Sequence, residues 1–235
     1  MESLDRAAVE DLVVAHRVLA KQSILDAFGH ASIRSPSNPG RFLLPRSVAP
    51  ELVSAEDIME HDLDGVPVDP QGRKPFLERF IHSSIYKAHP EVGAVVHSHS
   101  TGVIPFSVST TPMRPIFVLG AFLSGGVPIF DTRSLGGGSD MLITNAGMGD
   151  AMASHLGRRP ALLLRGHGSV VAAPNIQLAV FRVIYLETNA RLQSQAIALG
   201  GEVTYLNPEE AEKLDGAAAA NVSRPWELWK KQVLG

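Results

Sequence analysis

The sequence has no cysteine among its 235 residues. Disulfides, thiolate catalysis and cysteine-based zinc sites are therefore excluded, and any metal must be bound by His, Asp, Glu or backbone oxygens. A basic surplus is also missing. Twenty-one Lys and Arg stand against 24 Asp and Glu, for a net charge of −3, so little neutralises a phosphate backbone and no nucleic-acid partner is expected. No apolar stretch approaches the ~20 residues that span a bilayer. The first residues, MESLDRAAVEDLVVAHRVL, lack a basic start followed by an apolar run, so they do not read as a signal peptide. The expectation is a cytoplasmic protein with no membrane partner. No repeat and no long polar linker breaks the chain, and 45% hydrophobic content is enough for one core, so residues 1–235 are read as one domain.

Hydrophobic periodicity supplies the elements. Leu4, Ala8, Leu12, Ala15 and Leu19 form one helical stripe. Ser32–Arg34 and Phe42–Leu44 read as short strands joined by a turn at Ser37–Gly40, and Asp64-Gly65 as a hairpin turn. Ser54 is placed as a helix N-cap. Residues 75–89 are expected to form a helix, with Pro75 in its first turn and Pro90 at its end. GAVVHSH reads as a buried strand, RPIFVL and VPIF as further strands, SLGGGSD as a loop, and Asn145 to Leu156 as a helix. ALLLRGHG reads as a strand running into a turn, and residues 174–199 as a long helix stopped by Gly200-Gly201. Strands and helices intermixed in this way predict an α/β fold with a central sheet covered by helices.

The chemistry concentrates in few residues. His97 and His99 lie two apart on the GAVVHSH strand, and side chains alternate faces along a strand, so both imidazoles point the same way. Polar Ser98 and Ser100 suggest that this strand end is exposed. His167 sits between two glycines after a second strand. If the two strands are neighbours, it completes a three-imidazole face with an open position, which is a catalytic rather than a structural arrangement. Glu78, flanked by Leu77, Phe80 and Ile81, is read as mid-helix, where an acid among apolar residues needs a partner. Each residue also has an ordinary reading. A His-x-His pair can be core packing, His167 a turn residue, Glu78 a surface acid, and His82 and His89 partly exposed histidines. Read from the residues alone, both a metal centre and unrelated histidines remain open.

These residues carry a resemblance. FGHASIR, LLPRS, FLERFIHSSIYKAHPEVGAVVHSHS, LLLRGHG and AVFRVIYLETNARLQ together resemble the class II aldolase/adducin family, from the first helix to about Leu206. The family places a Glu 19 residues before the first His of its His-x-His pair, as Glu78 and His97 stand here, and a third His before Gly, as in His167-Gly168. The resemblance implies a three-layer α/β/α fold with a mainly antiparallel sheet. It implies a homo-oligomer, commonly a tetramer, with sites at subunit interfaces. It also implies one divalent ion per subunit on His97, His99 and His167, with Glu78 as ligand or acid/base. Sugar-phosphate aldolases of the family usually carry Gly-Asn where this chain has Gly29-His30, and Thr-Gly where it has Arg46-Ser47. They also carry hydroxyl residues just before the Glu, where this chain has Phe76 and Leu77, which cannot donate hydrogen bonds to phosphate. The pattern is more similar to the decarboxylase branch, whose members act on hydroxylated aromatic or pyridine dicarboxylates.

The expected activity is therefore that of a metal-dependent lyase, with a carboxy-lyase favoured. Glu78 is the first candidate for proton transfer and His30 the second, while Arg46 and Ser47 are candidates for holding the remaining carboxylate. For Arg46 an exposed arginine is the ordinary alternative. The resemblance favours manganese for a decarboxylase and zinc for an aldolase. The alternatives are an aldolase or epimerase acting on a sugar or sugar phosphate, and a non-catalytic adducin-like scaffold. Trp226 and Trp229 are left open between packing on a neighbouring subunit and covering the site.

Overall fold

The computed structural model describes residues 3–136 and 141–235, with the side chains of residues 3–5 outside the description. The elements are α1 (Ser3–Lys21), β1 (His30–Arg34), β2 (Arg41–Pro45), β3 (Ile58–Asp62), α2 (Arg79–Ala88), β4 (Ala94–Ser98), the short α3 (Ile104–Ser107), β5 (Ile129–Phe130), α4 (Ala146–Leu156), β6 (Ala161–Leu164), β7 (Gly168–Ala173), α5 (Ile176–Ala198), α6 (Pro208–Ala220) and α7 (Ser223–Leu234). The strands form one seven-stranded sheet in the order β3-β2-β1-β4-β7-β6-β5. Every pairing is antiparallel except β5 with β6. The expected mainly antiparallel three-layer α/β/α architecture is observed. Among the described residues no helix is long and apolar enough to cross a membrane.

Two apolar clusters hold the layers together. On one face of the sheet, Ala31, Ile33, Ala94, Val96, Val171 and Ala173 pack under α1 and α5. On the other, Phe42, Leu44, Val95, Val170 and Ala172 pack under α2 and α4. The strands are buried on both faces, and each strand's alternation divides its side chains between the two clusters. In β1 this sends Ala31 and Ile33 toward α1, and His30 and Ser32 to the opposite face.

Several expectations are corrected. Pro75 does not open a helix. It forms an isolated bridge with Arg46, α2 starts at Arg79, and Glu78 is its N-cap rather than a mid-helix residue. RPIFVL is not a strand. Residues 118–123 form a 3-10 helix, and side chains of α5 occupy the preceding backbone: Ile116 N donates to Asn189 Oδ1, Arg114 N to Gln193 Oε1, and Asn189 Nδ2 to the Arg114 carbonyl. Backbone groups satisfied by α5 have no need of a ladder. Ser54 caps a 3-10 turn, Ala55–Asp57, not an α-helix. Of the SLGGGSD stretch, residues 137–140 lie outside the described residues. Asp64-Gly65 does turn the chain, with Gly65 at φ 79° and a bridge between His61 and Pro67.

Trp226 and Trp229 neither cover the site nor await a neighbouring subunit. They are 1% and 7% exposed and belong to the chain's own core beside α1 and α5. Lys230 Nζ on Asp11 at 3.2 Å fastens α7 to α1. Trp226→Ala is expected to cost about 3–5 kcal/mol, read as a lowered midpoint in chemical denaturation. A change below ~1 kcal/mol would show that α7 is not integral to this core.

Candidate metal centre

Antiparallel neighbours bring the start of one strand beside the end of the next. The start of β1, the end of β4 and the start of β7 therefore meet at one end of the sheet, with His30 opposite His97, and Ser98 opposite Ser169. His97 is the fourth residue of β4, and His99 follows the strand's end. The strand beside β4 is β7, to which the sequence reading assigns no element, and not β6. His167 reaches the site from the tight β6–β7 connection. Gly166 there has φ 62°, and a Cβ on Gly168 would overlap the Ser98 carbonyl oxygen, so both glycines are needed for the turn and for the close approach of the strands. Ser98 and Ser100 are buried, not exposed. They hydrogen-bond to each other at 2.8 Å, and Ser98 also to Ser169 Oγ. Glu78 enters from the N-terminus of α2.

The three imidazoles converge through one kind of nitrogen. His99 Nε2 lies 3.2 Å from His97 Nε2 and 3.1 Å from His167 Nε2. Glu78 Oε2 lies 3.7 Å from His97 Nε2 and 3.5 Å from His167 Nε2. All four ligand atoms fall within 4.8 Å of one another. On the far side of each ring an acceptor waits. His97 Nδ1 is 3.1 Å from the Ser169 carbonyl, His99 Nδ1 3.0 Å from Asp26 Oδ2, and His167 Nδ1 3.1 Å from the Met141 carbonyl. An acceptor can only receive, so each neutral ring carries its proton on Nδ1 and presents a bare lone pair at Nε2. Three lone pairs, with that of His99 3.2 and 3.1 Å from the other two, do not hydrogen-bond to each other; a cation between them satisfies all three. Tetrahedral ligands ~2.0–2.1 Å from an ion are spaced by about 3.3 Å, which these separations match. The donor set fits a divalent ion, and His97, His99, His167 and Glu78 would hold it.

Electrostatics agree. Burial holds His97 well below the usual histidine range, with Glu78 opposing, so the ring is neutral, as a ligand must be. Burial works against the charge of Glu78, yet its contacts with His167, His97 and the Ile143 N–H hold its carboxyl below the usual range. Ile143 N donates to Glu78 Oε1 at 2.9 Å. Segment 141–143 thus orients Glu78 through Ile143 and His167 through Met141. Met141 sits at φ 68°, a left-handed conformation that costs a non-glycine residue roughly 1–3 kcal/mol.

A cavity of about 410 Å³ opens beside this cluster. Its polar lining residues are His30, Ser47, Glu78 and His99, and its apolar ones include Phe28, Phe76 and Leu77. Among the described residues no Lys or Arg lines it. The structure places Arg46 on Asp57, Nε to Oδ1 at 2.6 Å, so Ser47 is the member of that pair facing the cavity. His30 is buried with its ring 4.4 Å from Phe76 and 5.2 Å from His97. His82, read from sequence as partly exposed, is fully buried and bonded to His30. Asp26, which orients His99 and accepts from the Phe28 and Gly29 amides, had no sequence signal beyond lying before a glycine. His89 is partly exposed, as expected.

Comparison with known proteins gives a consistent picture. The family model described as Class II Aldolase and Adducin N-terminal domain matches residues 10–194. Decarboxylase tropJ of Talaromyces stipitatus is 32% identical, with 96% of this chain and 93% of that protein covered. The 3,4-dihydroxyphthalate decarboxylase of Arthrobacter keyseri is 31% identical, with 93% and 91% covered. Among solved structures, an aldolase II superfamily protein from Pseudomonas syringae has the same fold, with a TM-score of 0.83 at 23% identity over 99% of this chain and 94% of that one.

Proposed function

Because this chain belongs to the class II aldolase and adducin family, we propose that it is a metal-dependent lyase that decarboxylates a hydroxylated aromatic or pyridine dicarboxylate. The observation that carries this reading is the cavity lining. Phe76 and Leu77 stand immediately before Glu78, and no cationic side chain among the described residues lines the cavity. A phosphate dianion would find no guanidinium or ammonium there and a single hydroxyl, that of Ser47. A planar ring finds Phe28, Phe76 and Leu77 together with a few polar groups, the usual make-up of a small-molecule pocket. The decarboxylase relatives of similar length support the same direction.

A divalent ion held by the three histidines supplies Lewis-acid chemistry, drawing off the negative charge left on carbon as the carbon–carbon bond breaks. The chain's own residues do the rest. Glu78, ionised on arrival, takes the substrate's hydroxyl proton and returns it to the ring carbon vacated by carbon dioxide. His30 and Ser47 face the same substrate from the β1 side and the loop after β2. Arg46, engaged with Asp57, supports the position of Ser47. We place the assembly as a homo-oligomer, a tetramer by the family resemblance, which sedimentation would check.

The deciding experiment supplies the metal-loaded protein with hydroxylated aromatic and pyridine dicarboxylates and measures carbon dioxide, with sugar phosphates tested in parallel for aldehyde release. Carbon dioxide release that chelation stops and added Mn²⁺ or Zn²⁺ restores is expected. Aldehyde release from a sugar phosphate with none from the dicarboxylates would assign the chain to the aldolases instead.

A further inference from the structure

Behind His30 lies a chain of buried polar groups that the metal chemistry does not use. His30 Nδ1 is 2.7 Å from His82 Nε2, His82 Nδ1 is 2.6 Å from Ser32 Oγ, and Ser32 Oγ is 2.8 Å from the Tyr86 hydroxyl. His30, Ser32, His82 and Tyr86 are each at most 1% exposed. Both rings are buried and bonded to each other and to Ser32 rather than to a carboxylate, so each is neutral, with one N–H and one lone pair. Three contacts among four groups then allow three arrangements: protons running toward Tyr86, protons running toward His30, or Ser32 Oγ accepting from both His82 and Tyr86.

The buried hydroxyls of Tyr86 and Ser32 decide among them. Ser32 Oγ is the one acceptor bonded to it among the described residues. If the protons ran from His30 toward Tyr86, the phenolic O–H would end the chain buried and unmatched, with its full desolvation penalty, and if Ser32 accepted from both neighbours its own buried O–H would be the unmatched one. If the protons run from Tyr86 outward, Tyr86 donates to Ser32, Ser32 to His82 Nδ1, and His82 Nε2–H to His30 Nδ1. The proton left over then sits on His30 Nε2, on a residue that lines the cavity, where water or substrate accepts it. We propose that Tyr86, Ser32 and His82 are positioning residues that lock His30 in the Nε2–H tautomer, making it a fixed hydrogen-bond donor to a carboxylate or phenolic oxygen of the substrate rather than a second acid. No proton changes owner in this role. His30 binds and orients, and Glu78 carries the proton. The substrate's identity rests on the decarboxylase reading; the tautomer does not.

The test has two arms. Nitrogen-15 NMR of the histidine-labelled protein loaded with diamagnetic Zn²⁺ reports which ring nitrogen is protonated, without any substrate. His30 protonated on Nε2 is expected, with that signature lost or mixed in Tyr86→Phe. Protonation on Nδ1 in the unmodified protein overturns the proposal. In the second arm, Tyr86→Phe is expected to lower kcat/KM about tenfold, carried by KM. In a His30→Gln background, whose amide N–H needs no tautomer lock, the same change should cost less than about twofold. An equal loss in both backgrounds would make Tyr86 merely structural and overturn the proposal. If Tyr86→Phe does not fold, Ser32→Ala breaks the same chain and takes its place in both arms. Absence of carbon dioxide release with the Nε2–H signature intact would remove the substrate assignment and leave the tautomer lock standing.

Discussion

His97→Ala is expected to lose the metal and the turnover together. His97 is the most enclosed of the three imidazoles, 0% exposed, with its orientation fixed by the Ser169 carbonyl. Removing it leaves two imidazoles and one carboxylate. Loss of a group that only hydrogen-bonds to a metal ligand weakens metal sites about 10- to 100-fold, so loss of a ligand should exceed that and leave the protein metal-free on purification. Stability supplies a second measure. Metal at 100 times its dissociation constant adds about 2.7 kcal/mol to a folded state that alone can bind it, or roughly 5–10 °C in Tm for a chain of this size. The unmodified protein should show that rise on adding metal after chelation, and His97→Ala should show none. Elemental analysis and a melting curve suffice. Full turnover by the metal-depleted variant would leave the proposed reaction without its charge sink.

The sheet end that carries this centre was largely legible in the sequence, because its determinants are local. Strand alternation puts His97 and His99 on one side, and glycines around His167 announce a turn. What the residues alone could not supply was adjacency. β4 lies between β1 and β7, and β7 is built from the small residues of Gly168–Ala173; a run of Ser, Val and Ala has no strong periodic signal. Glu78 was found through its spacing from His97 in a known family, and its local reading failed. Pro75 looked like a helix start, yet its bridge to Arg46 keeps residues 75–77 out of the helix and leaves Glu78 at the cap. RPIFVL failed for a different reason: apolar, β-branched residues favour a strand only when a neighbouring strand exists, and here Asn189 and Gln193 take the backbone groups first. His82 was misjudged because helical periodicity says which residues share a face, not that the face covers a second buried polar chain.

Glu78→Gln separates binding from proton transfer, and the structure explains why the substitution is clean. The amide oxygen of Gln can still accept from Ile143 N, which holds Oε1 at 2.9 Å, so the start of α2 and segment 141–143 should keep their places. The three imidazoles remain, so metal is retained, though bound less tightly without the carboxylate. What disappears is a group that can take a proton and give it back. Glu78 is held below the usual carboxyl range, burial being outweighed by His167, His97 and the Ile143 amide, so it meets the substrate ionised and ready to accept. Gln cannot, at any pH. General acid–base groups contribute about 10²- to 10⁴-fold, and a kcat lower by that factor, with metal content near that of the unmodified protein, is the expected result. An unchanged kcat would assign proton transfer elsewhere, since His30, if its proton is locked on Nε2, offers a donor but no basic nitrogen to the substrate. A variant without metal would mean that the carboxylate is an indispensable ligand and that its two roles cannot be separated by this change.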